Sequence, residues 1–347
     1  MENNIAKVIF IIVTRNSKLF MQPCLDSILN QTYRDFAIGV IDNDSSDGTA
    51  DFVRKNYPMV SMIENNKNVG FAKANNQAVK LFKSPYVVFC NPDIVLTETW
   101  LEKIMAKVES AEFDSYSIFG GKLLKLKLNN LETGDLEKTE VIDSCGLELF
   151  KNGRIAEIGA GKKSEEFNTD CEVLGHSAAL VFCRRSALDA IALTDKYHPQ
   201  GDYFDGSFFI YKEDADLALR LSLLGHHSLF IAEAVAYHLR TFSASGNDRL
   251  KVLVTNRKKQ SSPAKYYSYR NHLLLVFSNF FVSNIIYYFF PIAWFELKKF
   301  FYVLIFETRN LSAWWEVIKM IPEIRSKRKF IFSRAKITAL DFRKWVK

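Results

Sequence analysis

The stretch at residues 8–16, Val-Ile-Phe-Ile-Ile-Val-Thr-Arg-Asn, begins as an apolar run and ends in three polar residues. The same pattern recurs at residues 36–44, Phe-Ala-Ile-Gly-Val-Ile-Asp-Asn-Asp, and at 86–93, Tyr-Val-Val-Phe-Cys-Asn-Pro-Asp. Short apolar runs of this kind, separated by amphipathic stretches, predict a parallel sheet flanked by helices. In open α/β sheets ligands bind beyond the carboxyl ends of the strands, so we expect the three polar clusters to meet at one crevice.

The α/β pattern resumes after an irregular middle part. Residues 121–175 carry glycine and charge at irregular spacing, which predicts hairpins or an excursion from the sheet. From about residue 264 the composition changes to aromatic and aliphatic residues interrupted by Lys and Arg. We therefore predict an α/β domain over 1–262 and a helical region over 263–347. The predicted strands are 8–13, 36–41, 59–64, 86–90 and 178–183, and the predicted helices are 18–30, 48–56, 72–83 and one that begins near 213.

The composition of the 347-residue chain is that of a globular protein, 48% hydrophobic and 24% charged, which excludes a disordered chain and a polytopic membrane protein. Charge is uneven: residues 1–248 hold 26 Lys and Arg against 34 Asp and Glu, and residues 249–347 hold 20 against 5. Five scattered cysteines indicate neither a disulfide framework nor a zinc site. The first apolar run is too short for a signal peptide, so we expect a reducing, cytoplasmic setting.

The acidic and amide residues after the second strand are the first candidate binding residues. The chain has no G-x-G-x-x-G after strand one and no P-loop motif, so neither a standard dinucleotide site nor a P-loop is predicted. Instead Asp42 and Asp44 flank Asn43, where a carboxylate can accept hydrogen bonds from a base or ribose. The same residues also suit a turn and a helix N-cap, and the sequence leaves both interpretations open.

Three further clusters carry candidate chemistry. Asp93, in Asn91-Pro92-Asp93, can bind a hard divalent cation, although the motif taken alone favours a proline turn. A predicted helix begins with Glu213, Asp214 and Asp216, and the helix dipole stabilises acidic residues in a first turn. Because neighbouring helical side chains point about 100° apart, these carboxylates cannot all serve one purpose, and one that faces the crevice suits a general base. His238 follows another strand-like run and is a candidate metal ligand.

Taken in order, these motifs resemble a family 2 glycosyltransferase, and most closely the bacterial rhamnosyltransferase-like members. His238 and the later Tyr-Arg-Asn at 269–271 continue the pattern, so that the resemblance covers about residues 5 to 275. It implies a GT-A fold and an inverting transfer of a sugar from a nucleotide-sugar donor to a hydroxyl group. The matching stretches are 13–17, 40–48, 68–76, 91–93 and 204–217.

The resemblance also implies roles for individual residues. Thr14 and Asp42 would hold the base and ribose, and Asp214 would be the catalytic base, with Glu213 orienting the acceptor or tuning Asp214. Asp93 and His238 would hold Mg²⁺ or Mn²⁺. The chain departs from the family pattern at Asn91, where a carboxylate is commoner, so metal dependence is an open point. The full set of predicted donor-binding residues is Thr14, Asn16, Asp42, Asp44, Asn68, Gly70, Asn75 and Asn91.

The C-terminal region predicts contact with a membrane. Residues 273–295 form a run of 23 residues without charge, but polar residues and Pro291 interrupt it, which favours helices in the membrane interface over a span. Tryptophan and a cationic tail beyond Pro322 favour attraction to anionic lipid on the cytoplasmic face. A soluble helical subdomain, packed on the core or forming a dimer, is the alternative.

These features together predict a peripheral or monotopic transferase. The expected acceptor is a polyprenyl-diphosphate-linked saccharide in O-antigen or capsule-type polysaccharide synthesis, and the expected donor is dTDP-L-rhamnose. A UDP-sugar donor and a nucleotidyltransferase remain enzymatic alternatives. A nucleic-acid-binding protein that uses the basic tail is the other class, but no recognition motif accompanies the charge, so we expect no nucleic-acid partner.

Overall fold

The computed structural model describes residues 5–130, 135–239 and 262–347. Ten of the described strands form one mixed sheet, in which the main path runs β10-β12-β6-β11-β4-β1-β2-β3. The strands are β1 Val8–Thr14, β2 Phe36–Asn43, β3 Ser61–Asn65, β4 Tyr86–Cys90, β5 Ile94–Leu96, β6 Tyr116–Asn130, β7 Asp135–Ser144, β8 Leu147–Leu149, β9 Ile155–Glu157, β10 Cys171–Val173, β11 Leu180–Arg184 and β12 His227–His238.

Helices cover both faces of this sheet and form the C-terminal region. Each of the predicted helices is present, with ends that differ from the prediction by no more than two residues. The α-helices are α1 Lys18–Leu29, α2 Thr49–Asn56, α3 Phe71–Leu81, α4 Trp100–Val108, α5 Arg185–Ile191, α6 Glu213–Leu223, α7 Ser262–Asn279, α8 Val282–Tyr287, α9 Phe289–Phe306, α10 Ser312–Lys319, α11 Ile321–Phe332 and α12 Ala339–Arg343.

The parallel half of the sheet brings the predicted polar clusters to one edge. β1 pairs in parallel with both β2 and β4, so the three strands end on the same side. β11 then runs antiparallel to β4 and to β6, and β12 pairs in parallel with β6. The irregular middle part forms the long β6–β7 hairpin and the small β8–β9 hairpin, as the sequence predicts.

The C-terminal helices share a hydrophobic core with the sheet. α7 supplies Leu273, Leu274, Leu275 and Val276 to the same buried cluster as Ile9 and Phe89. The first residues of the uncharged run are thus protein core and do not face lipid. The run is also divided among three helices, because α7 ends at Asn279 and α9 begins only at Phe289. Within the described residues, no helix combines the length and the apolar character needed to cross a bilayer.

Candidate active site

The ends of β1 and β2 lie at the edge of the sheet where the sequence predicts the crevice. Thr14 and Asp42 are register partners, and both are buried. Asp42 Oδ2 accepts a hydrogen bond from the Ser45 amide at 2.9 Å. In contrast, Thr14 Oγ1 and Asp42 Oδ1 are buried and have no hydrogen-bond partner among the described residues. Since buried polar atoms are nearly always paired, this couple is suited to receive polar groups of a ligand.

Asn16 and Asp44 lie just beyond these strand ends and are exposed. Both adopt positive φ, 51° and 69°, as the two strands give way to loops. The Asn16 carboxamide accepts from the Ser46 amide at 2.8 Å, and the Asn16 amide donates to Ser45 Oγ at 2.9 Å. Asn16 therefore ties the two loops together, while the Asp44 carboxylate is exposed at their edge.

The segment around Asn68 and Gly70 is held by amide contacts. Asn43 Nδ2 donates to Asn68 Oδ1 at 2.8 Å, and the Gly70 amide donates to the same oxygen at 2.9 Å. Gly70 has φ 86°, and a Cβ there would lie 2.5 Å from the Phe209 ring, so only glycine fits. Asn75 is 1% exposed and donates to the Phe71 carbonyl at 2.9 Å, so the structure does not bring it to the crevice surface.

Asp93 and His238 meet where β5 pairs with β12. The Leu239 amide donates to the Asp93 carbonyl at 2.9 Å, and His238 Nε2 lies 3.4 Å from Asp93 Oδ1. On the other side of the ring, Asp143 Oδ2 lies 2.8 Å from Nδ1. Burial opposes the charged ring, but the Asp93 and Asp143 carboxylates outweigh it and raise the pKa of His238 to about 9.

This arrangement suits a divalent cation. The second carboxylate fixes Nδ1 and aims Nε2 at Asp93, which is the orientation that metal-binding histidines receive from a supporting carboxylate. Carboxylate oxygen and imidazole nitrogen form a usable donor pair for such ions. Asn91 lies two residues before Asp93, and its backbone amide donates to the Ala179 carbonyl at 2.8 Å.

A second group of possible ligands is explained by an ion pair. His198, Asp205 and Glu323 place one ligand atom each within 4.8 Å of one another. The Lys327 ammonium, however, lies 2.6 Å from Asp205 Oδ2 and occupies that carboxylate. We therefore assign this group to a buried charge cluster and not to a metal site.

The three acidic residues of α6 point to three different surroundings, as helical geometry requires. Asp214 is partly exposed, and its Oδ2 accepts from Ser177 Oγ at 3.2 Å. Glu213 is buried, and burial together with Asp214 raises its pKa to about 8, so it is mainly neutral at pH 7. Asp216 is fully buried and pairs with Arg220 at 2.8 Å.

The turn before β11 connects Asp214, the predicted base, to Asn91, which lies two residues before the predicted metal ligand Asp93. Ser177 contacts Asp214, and Ala179, two residues later, accepts from the Asn91 amide. Neither Ser177 nor Asp143 was predicted from the sequence. Asp143 lies 95 residues before His238 in the excursion, and no spacing pattern connects the two.

The N-terminal part of the chain is similar to known glycosyltransferases. Residues 9–122 match the model of Glycosyl transferase family 2. An uncharacterized glycosyltransferase of Haemophilus influenzae is 28% identical over 159 residues, 43% of this chain and 49% of the relative. The Escherichia coli UDP-Glc:alpha-D-GlcNAc-diphosphoundecaprenol beta-1,3-glucosyltransferase WfaP is 32% identical over 112 residues, 32% of this chain and 45% of the relative. The matches thus span about half the length of these relatives or less.

Solved structures agree at the level of the fold. GalNAc-T7, crystallised with UDP, GalNAc and Mn²⁺, aligns over 99% of this chain and 58% of its own, with TM-score 0.56 and 14% identity. S. aureus TarS 1–349 aligns over 97% and 91%, with TM-score 0.51 and 15% identity. The class is therefore a GT-A-fold protein. More particularly, residues 9–122 are similar to Glycosyl transferase family 2, which supports the family that the sequence motifs predict.

Proposed function

We propose that this chain is an inverting glycosyltransferase that moves a sugar from a nucleotide-sugar donor to a hydroxyl of a saccharide acceptor. The observation that carries the proposal is the unpaired couple Thr14 Oγ1 and Asp42 Oδ1, buried at the strand ends of a family 2 domain. A nucleoside supplies the hydrogen-bonding groups that these atoms lack. Asp214 is the general base. It is partly exposed, and its hydrogen bond with Ser177 ties it to the turn that precedes β11.

The chemistry divides among these residues. Asp214 accepts the proton of the acceptor hydroxyl as its oxygen attacks the anomeric carbon on the face opposite the leaving group. Burial and the nearby Asp214 raise the pKa of Glu213 to about 8, so Glu213 is not the base at neutral pH. Asp93 and His238 would hold Mn²⁺ or Mg²⁺. When bound, the cation offsets the negative charge that builds on the nucleoside diphosphate.

For the donor we propose dTDP-L-rhamnose, on the ground of the sequence resemblance. The alternative is a UDP-sugar, which the name of WfaP favours. That name also supports a diphosphate-lipid-linked saccharide as the acceptor class. We extend this to a polyprenyl-diphosphate-linked intermediate of surface polysaccharide synthesis, reached from the cytoplasmic face of the membrane.

An exposed apolar face on α9 supports the membrane location. The side chains recur at the spacing of one helical stripe, whereas Ile292, Glu296 and Val303 face the protein. Soluble monomers rarely leave such a stripe uncovered. Lys298 stands beside it, over the Trp294 ring, and on α10 Lys319 lies over the ring of the exposed Trp315, which suits an anionic bilayer surface. The exposed members of the stripe are Phe290, Trp294, Leu297, Phe301, Leu304 and Ile305.

The first experiment measures release of nucleoside diphosphate from a panel of dTDP- and UDP-sugars, with membrane lipid extract as acceptor and with or without Mn²⁺ or Mg²⁺. We expect acceptor-stimulated release from one donor and a loss of about 10²- to 10⁴-fold in Asp214→Asn. Asp51→Asn, a surface carboxylate on α2, is the matched control and should retain full activity. Release of inorganic diphosphate in place of nucleoside diphosphate would instead identify a nucleotidyltransferase.

The membrane location has its own test, independent of activity. We expect the native chain to sediment with vesicles containing phosphatidylglycerol, and the double variant Trp294→Asp, Phe301→Asp to stay in solution. Met59→Asp, at an equally exposed apolar side chain outside the stripe, is the control and should sediment like the native chain. Equal sedimentation of all three proteins would overturn the membrane proposal and leave the transferase proposal intact.

A further inference from the structure

The segment that leads into α6 has an unusual backbone. Phe209, Tyr211 and Lys212 adopt φ angles of 61°, 70° and 67°, and none of them is glycine. Left-handed backbone is costly for residues with a Cβ, so such conformations persist only when their surroundings impose them. The segment ends at the first turn of α6, where the Asp216 amide donates to the Lys212 carbonyl at 2.9 Å. Its conformation therefore sets the position of Asp214, two residues after Lys212.

Asn271 of α7 holds this segment. Its side chain is fully buried, and Nδ2 lies 2.8 Å from each of the carbonyl oxygens of Phe208, Ile210 and Tyr211. One amide group thus binds three carbonyls of the strained segment. A buried asparagine that merely satisfied its own hydrogen bonds would need only one or two of them.

Arg270 and Phe71 hold the same strained segment from two further sides. Arg270 donates to the Ser207 and Phe208 carbonyls and pairs with Glu316 of α10 at 2.6 Å. On the opposite side, the Phe71 amide at the start of α3 donates to the Phe209 carbonyl at 2.8 Å. The strained segment therefore lies between α3, on the side of the predicted donor-binding residues, and the C-terminal helices.

We propose that Asn271 is a positioning residue for the catalytic base. Its amide holds residues 208–211 in the strained conformation that places Asp214 toward the acceptor. The proposal rests on the proposed function, in which Asp214 is the base. It predicts that loss of the amide displaces the base while Thr14 and Asp42 keep their places, because these two residues are held by the pairing of β1 with β2.

The test compares Asn271→Ala with Asn284→Ala. Asn284 is also a buried C-terminal asparagine whose Nδ2 donates to a backbone carbonyl, that of Ala339 at 2.9 Å, and it lies outside the strained segment. For Asn271→Ala we expect kcat to fall about 10- to 100-fold, since small misplacement of a catalytic group has effects of this order. The Kd for nucleoside diphosphate should change by less than about 2-fold. Asn284→Ala should leave kcat unchanged when the two variants are compared at the same folded fraction.

Hydrogen exchange supplies a readout that needs no turnover. We expect the amides of residues 207–214 to exchange faster in Asn271→Ala than in Asn284→Ala, at equal global stability. The proposal is overturned if exchange there is the same in the two variants, or if kcat falls equally in both. If Asp214→Asn stays active while Asn271→Ala shows the faster exchange, the proposed function fails, and Asn271 is then shown to hold the segment but not to position a base.

Discussion

Two sets of buried polar groups differ in how they are paired. One lies at the ends of β1 and β2, and the other, called here the cluster behind α6, joins Asp216 of α6 to Asp205 through Lys327 of α11. At the strand ends, Thr14 Oγ1 and Asp42 Oδ1 have no hydrogen-bond partner in the described part of the chain. Behind α6, both oxygens of Asp205 and both of Asp216 are bound, with the Lys327 ammonium shared between the two carboxylates. An unpaired buried group costs stability, so we propose that the first set serves a ligand and the second serves the fold.

Removal of Lys327 should have the largest effect on stability. Lys327→Met leaves Asp205 and Asp216 buried without their shared counter-charge, and we expect the free energy of unfolding to fall by about 3 to 5 kcal/mol. Lys329→Met, an exposed lysine on the same helix, should change it by less than about 0.5 kcal/mol. Urea unfolding measures both. Equal stability of the two variants would show that the pairing behind α6 is not structural.

The same cluster should impose a pH dependence through His198. Burial opposes the charged ring, but Asp205 and Asp195 outweigh it and raise the pKa of His198 to about 9. A pKa raised above the unfolded value of about 6.5 stabilises the fold fully below pH 6.5, and this stabilisation is lost as the pH rises through 9. We therefore expect His198→Gln to lower stability at pH 6, by roughly 2 to 3 kcal/mol, and much less at pH 9.5.

Urea unfolding at pH 6, 7.5 and 9.5 tests this dependence. His227→Gln is the control, because that ring is about half exposed, at 48%, and should give a small and nearly constant difference. A stability difference for His198→Gln that does not shrink with rising pH would mean that the ring is neutral in the folded protein.

How far the sequence predicts each set follows from the distance between partners along the chain. The position of the strand-end residues was predictable because each residue directly follows a strand and parallel strands end at one edge, as the Thr14 and Asp42 pairing shows. The cluster behind α6 was not predictable, because Lys327 lies 122 residues from Asp205. In the sequence, its charge is one of many in a basic tail that suits a solvated surface. The contacts of Asn271 with three carbonyls are unpredictable for the same reason, since Asn271 lies 63 residues from Phe208, although Tyr-Arg-Asn at 269–271 belongs to the family pattern.

The smallest expected change in stability separates the two sets most directly, through a pair of buried threonines. Thr49 Oγ1 accepts from the Ser17 amide at 3.1 Å and bonds to Asp47, so Thr49→Val should lower stability by about 1 kcal/mol. Thr14 Oγ1 has no such partner, so Thr14→Val should leave stability unchanged or slightly raised.

Nucleotide binding should respond in the opposite way. We expect Thr14→Val to weaken the binding of nucleoside diphosphate by about 3- to 10-fold, which is the loss of one hydrogen bond, and Thr49→Val to leave it unchanged. Calorimetric titration and urea unfolding of the same two preparations give both quantities. If Thr14→Val instead lost stability and kept its affinity, the Thr14 hydroxyl would serve the fold, and the contrast between the strand ends and the cluster behind α6 would no longer distinguish a ligand site from a structural one.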